Sequence, residues 1–507
     1  MMWERPMTSQ PDTSEKVTKV VIVGGGTAGW MAAASLARLI GKNIHVSLIE
    51  SDEIGTVGVG EATIPTMMTL HHLLKIDERE FLTAVQGTFK LGISFENWKN
   101  INQGYIHSFG LTGQDCWAGG FQHFWLKGVK RGISEDFGHY STELMAAKAN
   151  KFAVLPNNGL SYAYHMDASL YAKFLRKLAE GAGVQRIEGK IVNVDINANS
   201  GDIDKLTLES GQIVDGELFI DCSGFRGLLI NETLKTPFDD WSHWLPCDSA
   251  VAVQTASVSA PIPYTRSIAR EAGWQWRIPL QSRVGNGLVF SSKHLEDDQA
   301  TDVLLNNVEG EVLTTPRVIK FRTGQRSQHW VKNCVALGLA AGFVEPLEST
   351  AIHMVQRGII RLLQMFPKDG AQEPDMVEFN KQMTDEYVFI RDFVIMHYHI
   401  TEREDTAFWR HCKSMAIPDT LQHRLNLFKQ TGRVFQKAGD VFAENNWTQV
   451  MLGQGLIPDQ YHPIVDIMSD QELENFLSGL KVRTDNIVSQ LPSHEQFIAS
   501  YCKAATN

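Results

Sequence analysis

Cysteine is scarce and scattered. The six thiols, Cys116, Cys222, Cys247, Cys334, Cys412 and Cys502, form no C-x-x-C pair and no Cys/His ligand spacing. That excludes a disulfide scaffold and a zinc module, so no metal site is expected, and the thiols read as reduced, in a cytoplasmic protein. Positive charge is also short: 47 Lys and Arg stand against 58 Asp and Glu, a net charge of -11. A nucleic-acid partner would want the opposite, a basic face. Long apolar runs are missing too. The longest, around Cys334–Val344, is too short and too rich in glycine to span a bilayer. Residues 1–16 lack an apolar h-region and read as a disordered lead-in, not a signal peptide. No internal repeat or low-complexity block is visible. What is left, 507 residues at 43% hydrophobic, has ample core for two or three domains.

The informative stretch is Lys19–Glu50. Val20-Val21-Ile22-Val23 has the composition of a buried parallel strand. Gly24-Gly25-Gly26-Thr27-Ala28-Gly29 follows, then a helical pattern over Trp30–Ile40, a second apolar run over Ile44–Ile49, and Glu50. This is strand, G-x-G-x-x-G, helix, strand, acid, the pattern of a dinucleotide site. Gly24 permits the tight turn, Gly26 lets backbone approach a pyrophosphate, and Gly29 lets the helix pack close. Thr27 and Ala28 belong to the cofactor-binding turn, the free N–H groups of the helix N-terminus would face the phosphates, and Glu50 would take the ribose hydroxyls. A purely structural turn is the alternative at this point.

Further along, Ile54–Pro65 is a second glycine-rich loop, read as a strap over the cofactor. Met67–Leu74 and Glu78–Val85 read as helices. Lys90 stands in a period-2 run with Phe89, Leu91, Ile93 and Phe95, which by itself suggests a lysine on a solvent face; the functional alternative is an amine projecting into a cavity. His107 and Phe109 share a strand face, and Trp117, Phe121, His123, Phe124 and Trp125 are either core or pocket wall. A helix is expected from Ser169 to about Glu180, a strand pair within Gly183–Val194, and a strand at Leu218–Asp221 that returns to the dinucleotide sheet. Trp274 and Trp276 lie on one face of a strand that Pro279 ends, where aromatic packing across strands would be the ordinary explanation. Pro346 sets a turn, Ser349 or Thr350 can cap the helix that runs to about Met365, and Glu348 sits at its start. The N–H groups of Thr350 and Ala351 would suit a small anion. Beyond Pro374 the pattern is helical over Glu378–His397, Leu421–Phe435, Asp440–Leu452 and Asp470–Val488, with loop or fraying between 412 and 440 and at the end.

These residues together resemble the flavin-dependent tryptophan halogenases. The likeness covers almost the whole chain and rests on Gly24–Trp30, Gly58–Pro65, Phe89–Ile93, Trp274-Gln275-Trp276-Arg277-Ile278-Pro279 and Val344–Thr350. It implies an α/β (α+β) fold: an FAD-binding Rossmann-like core of the flavoprotein monooxygenase type over 17–370, discontinuous, with a substrate-side sheet inserted at about 85–165 and 235–330. A helical substrate lobe over 371–507 follows. The resemblance also implies reduced FAD from a separate flavin reductase, molecular oxygen and a halide, chloride or bromide, with no nucleic-acid or membrane partner and room for a homodimer. Oxygen on the reduced flavin gives a hydroperoxide; halide attack gives hypohalous acid, which reaches the substrate through a tunnel. Carried over by position, Lys90 holds the oxidant and Glu348 polarises it or stabilises the cationic arene. Thr350 and Ala351 form the halide site, Val192, Leu339 and Ile352 join the flavin contacts, and Trp274 and Trp276 guard the tunnel. His107 and Phe109 hold the substrate ring, with Trp447 in the same pocket.

The chemistry suits those residue types, because hypohalous acid would attack any exposed methionine or thiol and has to be confined. Two positions depart from the family. Ala351 replaces a common glycine, which still leaves its N–H free. Trp447-Thr448 stands where halogenases of free tryptophan present two adjacent tyrosines that help hold the amino-acid head. The expected substrate is therefore indole or another electron-rich aromatic without that head. Free tryptophan, an FAD-dependent aromatic hydroxylation, or a flavin-binding protein without turnover are the alternatives.

Overall fold

The run after Lys19 forms the strand its composition predicts. Lys19–Val23 lies between His45–Glu50 and Leu218–Asp221 and is parallel to both. Cys334–Ala336 continues the sheet on one side and Gln185–Glu188 on the other, with Trp330–Val331 as an antiparallel edge. The structure, a computed structural model, describes residues 17–53, 60–156, 159–437 and 439–504. The expected lead-in at 1–16 and the part of the glycine-rich loop at 54–59 lie outside the described residues.

At the carboxyl end of the first strand Gly24 turns with φ 111°, and helix Thr27–Leu39 starts at once. Gly29 lies so near the turn that a Cβ there would sit 1.9 Å from the Gly24 carbonyl oxygen. The helix packs on Ala168–Gly181, close to the helix expected from Ser169. Parallel strands buried on both faces need helices as covers, which accounts for the near-continuous apolar composition of 20–23 and 218–220.

A seven-stranded sheet carries the other half of the site. Its order is Arg317–Lys320, Ser249–Ala256, Arg283–Phe290, Gly273–Pro279, Thr265–Arg270, Gly92–Glu96 and Gly104–Ser108. A small sheet of Gly60–Ala62, Ala163–Asp167 and Thr88–Lys90 adjoins it, so the chain leaves one sheet after Lys90 and enters another at Gly92. Helices Ala351–Gln364 and Glu373–His399 pack on each other, and one hydrophobic cluster runs from Val17 through Trp30, Phe89, Trp274 and Phe393 to Cys502.

Several local expectations need correction. Gln185–Glu188 and Ile191–Ile196 do not pair with each other. The Gly189 N–H bonds to Glu50 O and prolongs the parallel ladder, after which Ile191–Ile196 joins Ile203–Leu208 in a separate sheet. Phe121, Phe124 and Trp125 pack with Val465, Leu473 and Leu477 in a core of their own, so they are not a pocket wall. Trp274 and Trp276 face Val289 and Gly287 across the ladder, and not aromatic partners. Neither Ser349 nor Thr350 caps the helix from Ala351 with its side chain. Helix Asp419–Thr431 stops ahead of the expected end because Gly432 turns into the left-handed region, and the end of helix Ala407–Ser414 reaches into the stretch from 412 where loop or fraying was expected.

Replacing Gly29 with Ala should lower stability by about 1–3 kcal/mol, since a methyl group must displace backbone and not a flexible side chain. Chemical denaturation of the flavin-free protein measures this; an unchanged midpoint would show that the helix can shift at no cost.

Candidate active site

Lys90 ends the three-residue strand Thr88–Lys90, and its side chain is fully buried. The alternation around it does not mark a solvent face, because both faces of this short strand are covered. Nζ donates to Thr63 O at 3.0 Å and to Ser349 Oγ at 2.8 Å, and it lies 5.4 Å from the centre of the Phe109 ring. Burial pushes the ammonium down from 10.5 to about 7, against the pull of nearby Glu348. At neutral pH this group is poised to hold or release a proton.

Glu348 closes the short turn Pro346–Glu348, and Ser349 follows at φ 60°. A left-handed serine is uncommon and costs conformational energy, which the surroundings must offset. It turns the chain into helix Ala351–Gln364 while its hydroxyl accepts from Lys90. Thr350 is buried, and no side chain caps this helix, so the first-turn N–H groups at Thr350 and Ala351 stay available to an anion. The carboxylate itself lies between two buried histidines. His107 Nδ1 donates to both oxygens, at 3.0 and 2.9 Å, and His397 Nε2 stands 2.8 Å from Oε1. Burial alone would push the Glu348 carboxyl up, but the two rings overcome this and hold it below the usual carboxylate range. Burial also pushes the His397 imidazole down, so this ring favours its neutral form. Behind the histidines stand Asn446, 3.0 Å from His107 Nε2, and the Tyr105 hydroxyl, 2.9 Å from His397 Nδ1.

Three residues before Glu348, the buried Glu345 accepts from Trp274 Nε1 at 2.9 Å and from the Tyr398 hydroxyl at 2.5 Å. Burial pushes its carboxyl up to about 7, although both donors oppose this. Trp276 lies 6.2 Å from Trp274 and covers Gly287, where a Cβ would collide with the indole. On the helical side Phe393 stacks on Phe442 at 3.9 Å and meets Trp447 edge-on at 4.7 Å. Trp447 is fully buried under Arg424, 4.2 Å away, and its indole N–H has no protein partner among the described residues. Thr448 gives its hydroxyl proton to Glu444 O of its own helix.

The residues expected to hold a dinucleotide occupy the carboxyl end of the parallel strands, where such ligands bind. Gly26 caps helix Thr27–Leu39 without a side-chain bond, and a Cβ at Gly26 would meet open space, so Thr27 and Ala28 can face a phosphate. Glu50 lies across Gly25; its oxygens take Arg186 Nε at 2.6 Å and Trp30 Nε1 at 3.4 Å, with Arg176 close by. Gly338 abuts Ala28, which brings Leu339 beside the turn, and Ile352 is buried in the first turn of helix Ala351–Gln364. This arrangement of uncapped amides and close glycine backbone fits FAD. Val192 stands apart, 62% exposed on strand Ile191–Ile196. Leu339 also lines a cavity of about 280 Å³ with Phe225, Phe321, Phe343 and Arg322.

The structure thus brings Lys90, Phe109, Ser349, Glu348 and His107 into one buried cluster. Sequence reasoning missed Thr63, His397, Tyr105, Asn446, Phe393 and Phe442. His397 reaches the carboxylate from helix Glu373–His399 and Asn446 reaches the far side of His107 from helix Glu444–Gly453, and no local spacing announces either.

With this geometry in hand, comparison with known proteins is specific. The tryptophan halogenase family profile matches residues 19–470. The tryptophan 7-halogenase RebH of Lentzea aerocolonigenes is 33% identical over 96% of this chain and 99% of its own. The solved structure of Xcc4156, a flavin-dependent halogenase from Xanthomonas campestris, is 56% identical, with a TM-score of 0.96 over 97% of this chain and 100% of that one. BrvH, a flavin-dependent halogenase from Brevundimonas sp. BAL3, is 43% identical, with a TM-score of 0.92 over 96% and 99%.

Burial of Lys90 has a signed consequence for stability. The unfolded chain holds this proton up to about pH 10.5 and the folded chain only to about 7, so folding expels it between those values. The cost is full below pH 7 and is relieved as pH rises toward 10.5. Wild-type stability should therefore gain on that of a Lys90→Met variant across this window. Denaturant melts at several pH values check it, and parallel stability curves would contradict it.

Proposed function

Because the chain belongs to the tryptophan halogenase family and is a flavin-dependent halogenase, we propose that it halogenates an electron-rich aromatic ring, indole or an indole derivative without an amino-acid head. Reduced FAD, when bound, supplies the activation of oxygen that oxidises chloride or bromide to hypohalous acid. Everything else falls to the chain. The amides of Thr350 and Ala351 hold the halide beside the flavin. The Lys90 amine receives the oxidant and presents it by hydrogen bond, or as a haloamine, to one ring carbon. Glu348, kept ionised by its histidines, stabilises the cationic ring and takes the proton that leaves it. A separate flavin reductase supplies the reduced cofactor. No helix among the described residues is long and apolar enough to cross a membrane.

The observation that carries the mechanism is the burial of Lys90 and Glu348 in one cluster, joined through Ser349. An oxidant confined there meets an amine and a carboxylate that are both shut off from solvent. Support for the substrate comes from Trp447 and Thr448. The indole is covered by Phe393 and Arg424 and carries one N–H donor and no acceptor, and the Thr448 hydroxyl is spent on its own helix, so the pair lacks the two hydroxyls that would grip an amino-acid head.

Mass spectrometry of products from the protein with FAD, a flavin reductase, NADH, oxygen and chloride or bromide tests this, with indole and free tryptophan offered side by side. A halogen isotope pattern on indole and not on tryptophan is expected. The pattern on tryptophan would overturn the substrate reading, and oxygen added without halogen would move the chemistry to hydroxylation. Lys90→Ala should bind FAD and give no ring halogenation, and regioselective product from that variant would remove Lys90 from the mechanism.

A further inference from the structure

The two histidines that hold Glu348 differ in what stands behind them. Asn446 Oδ1 accepts the Ala443 backbone N–H at 2.8 Å. That donor can do nothing else, so the amide orientation is set and Nδ2 faces His107 Nε2 at 3.0 Å. An amide NH2 offers two protons and no acceptor. His107 Nε2 must therefore be the bare nitrogen, and the single ring proton sits on Nδ1, directed at Glu348. On the other side His397 Nδ1 meets the Tyr105 hydroxyl, which can either donate or accept. Only the His107 arm is locked.

We propose that Asn446 is a positioning residue that keeps His107 neutral with its proton on Nδ1, so that Glu348 is held by a hydrogen bond without being neutralised by an imidazolium. This rests on the role given above to Glu348 as the base that takes the ring proton. A carboxylate behind a histidine favours the imidazolium, as in hydrolase triads; an amide whose NH2 faces the ring disfavours it. The charged and titratable groups around this pair are few. Glu348 faces it from the Pro346–Glu348 turn, His397 lies across that carboxylate with Tyr105 behind it, and Lys90 lies beyond Ser349. Glu444, on the same helix as Asn446, is turned away to the Gln436 N–H.

Asn446→Asp is the decisive variant, since it keeps the acceptor for Ala443 and replaces the donor that faces His107. Near neutral pH kcat should fall about tenfold or more, with KM for the aromatic substrate within about twofold. Activity should then recover at higher pH as His107 loses its second proton, a limb added to the one that Lys90 gives the wild type near pH 7. Asn446→Leu removes both bonds and should lower kcat without creating that new pH limb. If the two variants share one unaltered pH profile, Asn446 is merely structural and the proposal falls. Nitrogen-15 NMR of histidine-labelled, FAD-loaded protein judges the tautomer without turnover, with a His107→Phe variant to assign the signal. Neutral Nδ1–H in the wild type and imidazolium in Asn446→Asp are expected. An Nε2–H tautomer or imidazolium in the wild type would overturn the proposal. Should the wild type halogenate nothing, the role of Glu348 would fail while the nitrogen spectrum still decided the state of His107.

Discussion

An ammonium and a carboxylate can leave water together only if each polar atom finds a partner, and the centre of this molecule is arranged around that demand. Lys90 and Glu348 are 0% and 1% exposed. Removing one partner of a buried ion typically costs about 3–5 kcal/mol, so their partners are not ornamental. Thr63 and Ser349 satisfy the amine; His107 bonds the carboxylate, and His397 stands 2.8 Å from it. Those partners come from the small sheet, the turn after Pro346, the edge of the large sheet and the end of the 27-residue helix Glu373–His399. The charges are tolerable only once all four segments have met. Folding of the helical region and assembly of the site are in this sense one event.

The two sheets divide the work. The parallel sheet presents its Gly24 turn, Leu339 and the helix from Ala351 on one side, where uncapped backbone amides are open to an anion. The seven-stranded sheet presents His107 from its edge strand and Trp274 from its interior. Glu345 connects them, with one carboxylate oxygen taking both Trp274 and Tyr398, and Tyr398 is the neighbour of His397. The turn of residues 345–350 is thereby tied to the strand with the paired tryptophans and to the helix that carries a histidine of the clamp.

The parallel sheet was legible because its causes are local. A β-branched run, three glycines and an acid follow one another within Val20–Glu50, and each has one structural meaning. Long helices such as Asp470–Gln490 were legible from periodicity, and Ser469 with Glu472 marks the start of that one. The residues around Lys90 were not legible by pattern. A lysine in alternation with Phe89 and Leu91 reads as surface until one knows that Thr88–Lys90 is covered on both faces, a fact set by residues more than seventy positions away. His397 and Asn446 were invisible for the same reason. Their roles depend on a carboxylate 49 and 98 positions earlier, and nothing near them in sequence reports it. The apparent strand pair near Gly189 went astray because strand composition does not say which sheet a strand joins.

Six consecutive residues, Glu345 to Thr350, hold the tie to Trp274, the buried Glu348 carboxylate, the hydroxyl that receives Lys90 and the start of the helix from Ala351. The aromatic cluster of Phe393, Phe442 and Trp447 belongs to other segments. Inheritance can therefore act on the two separately. An insertion or altered turn within 345–350 would disturb every step at once, so drift there is closed off. The aromatic cluster can change ring by ring while the turn stays as it is, so a change in what the helical side admits would arise from the helices and not from the turn.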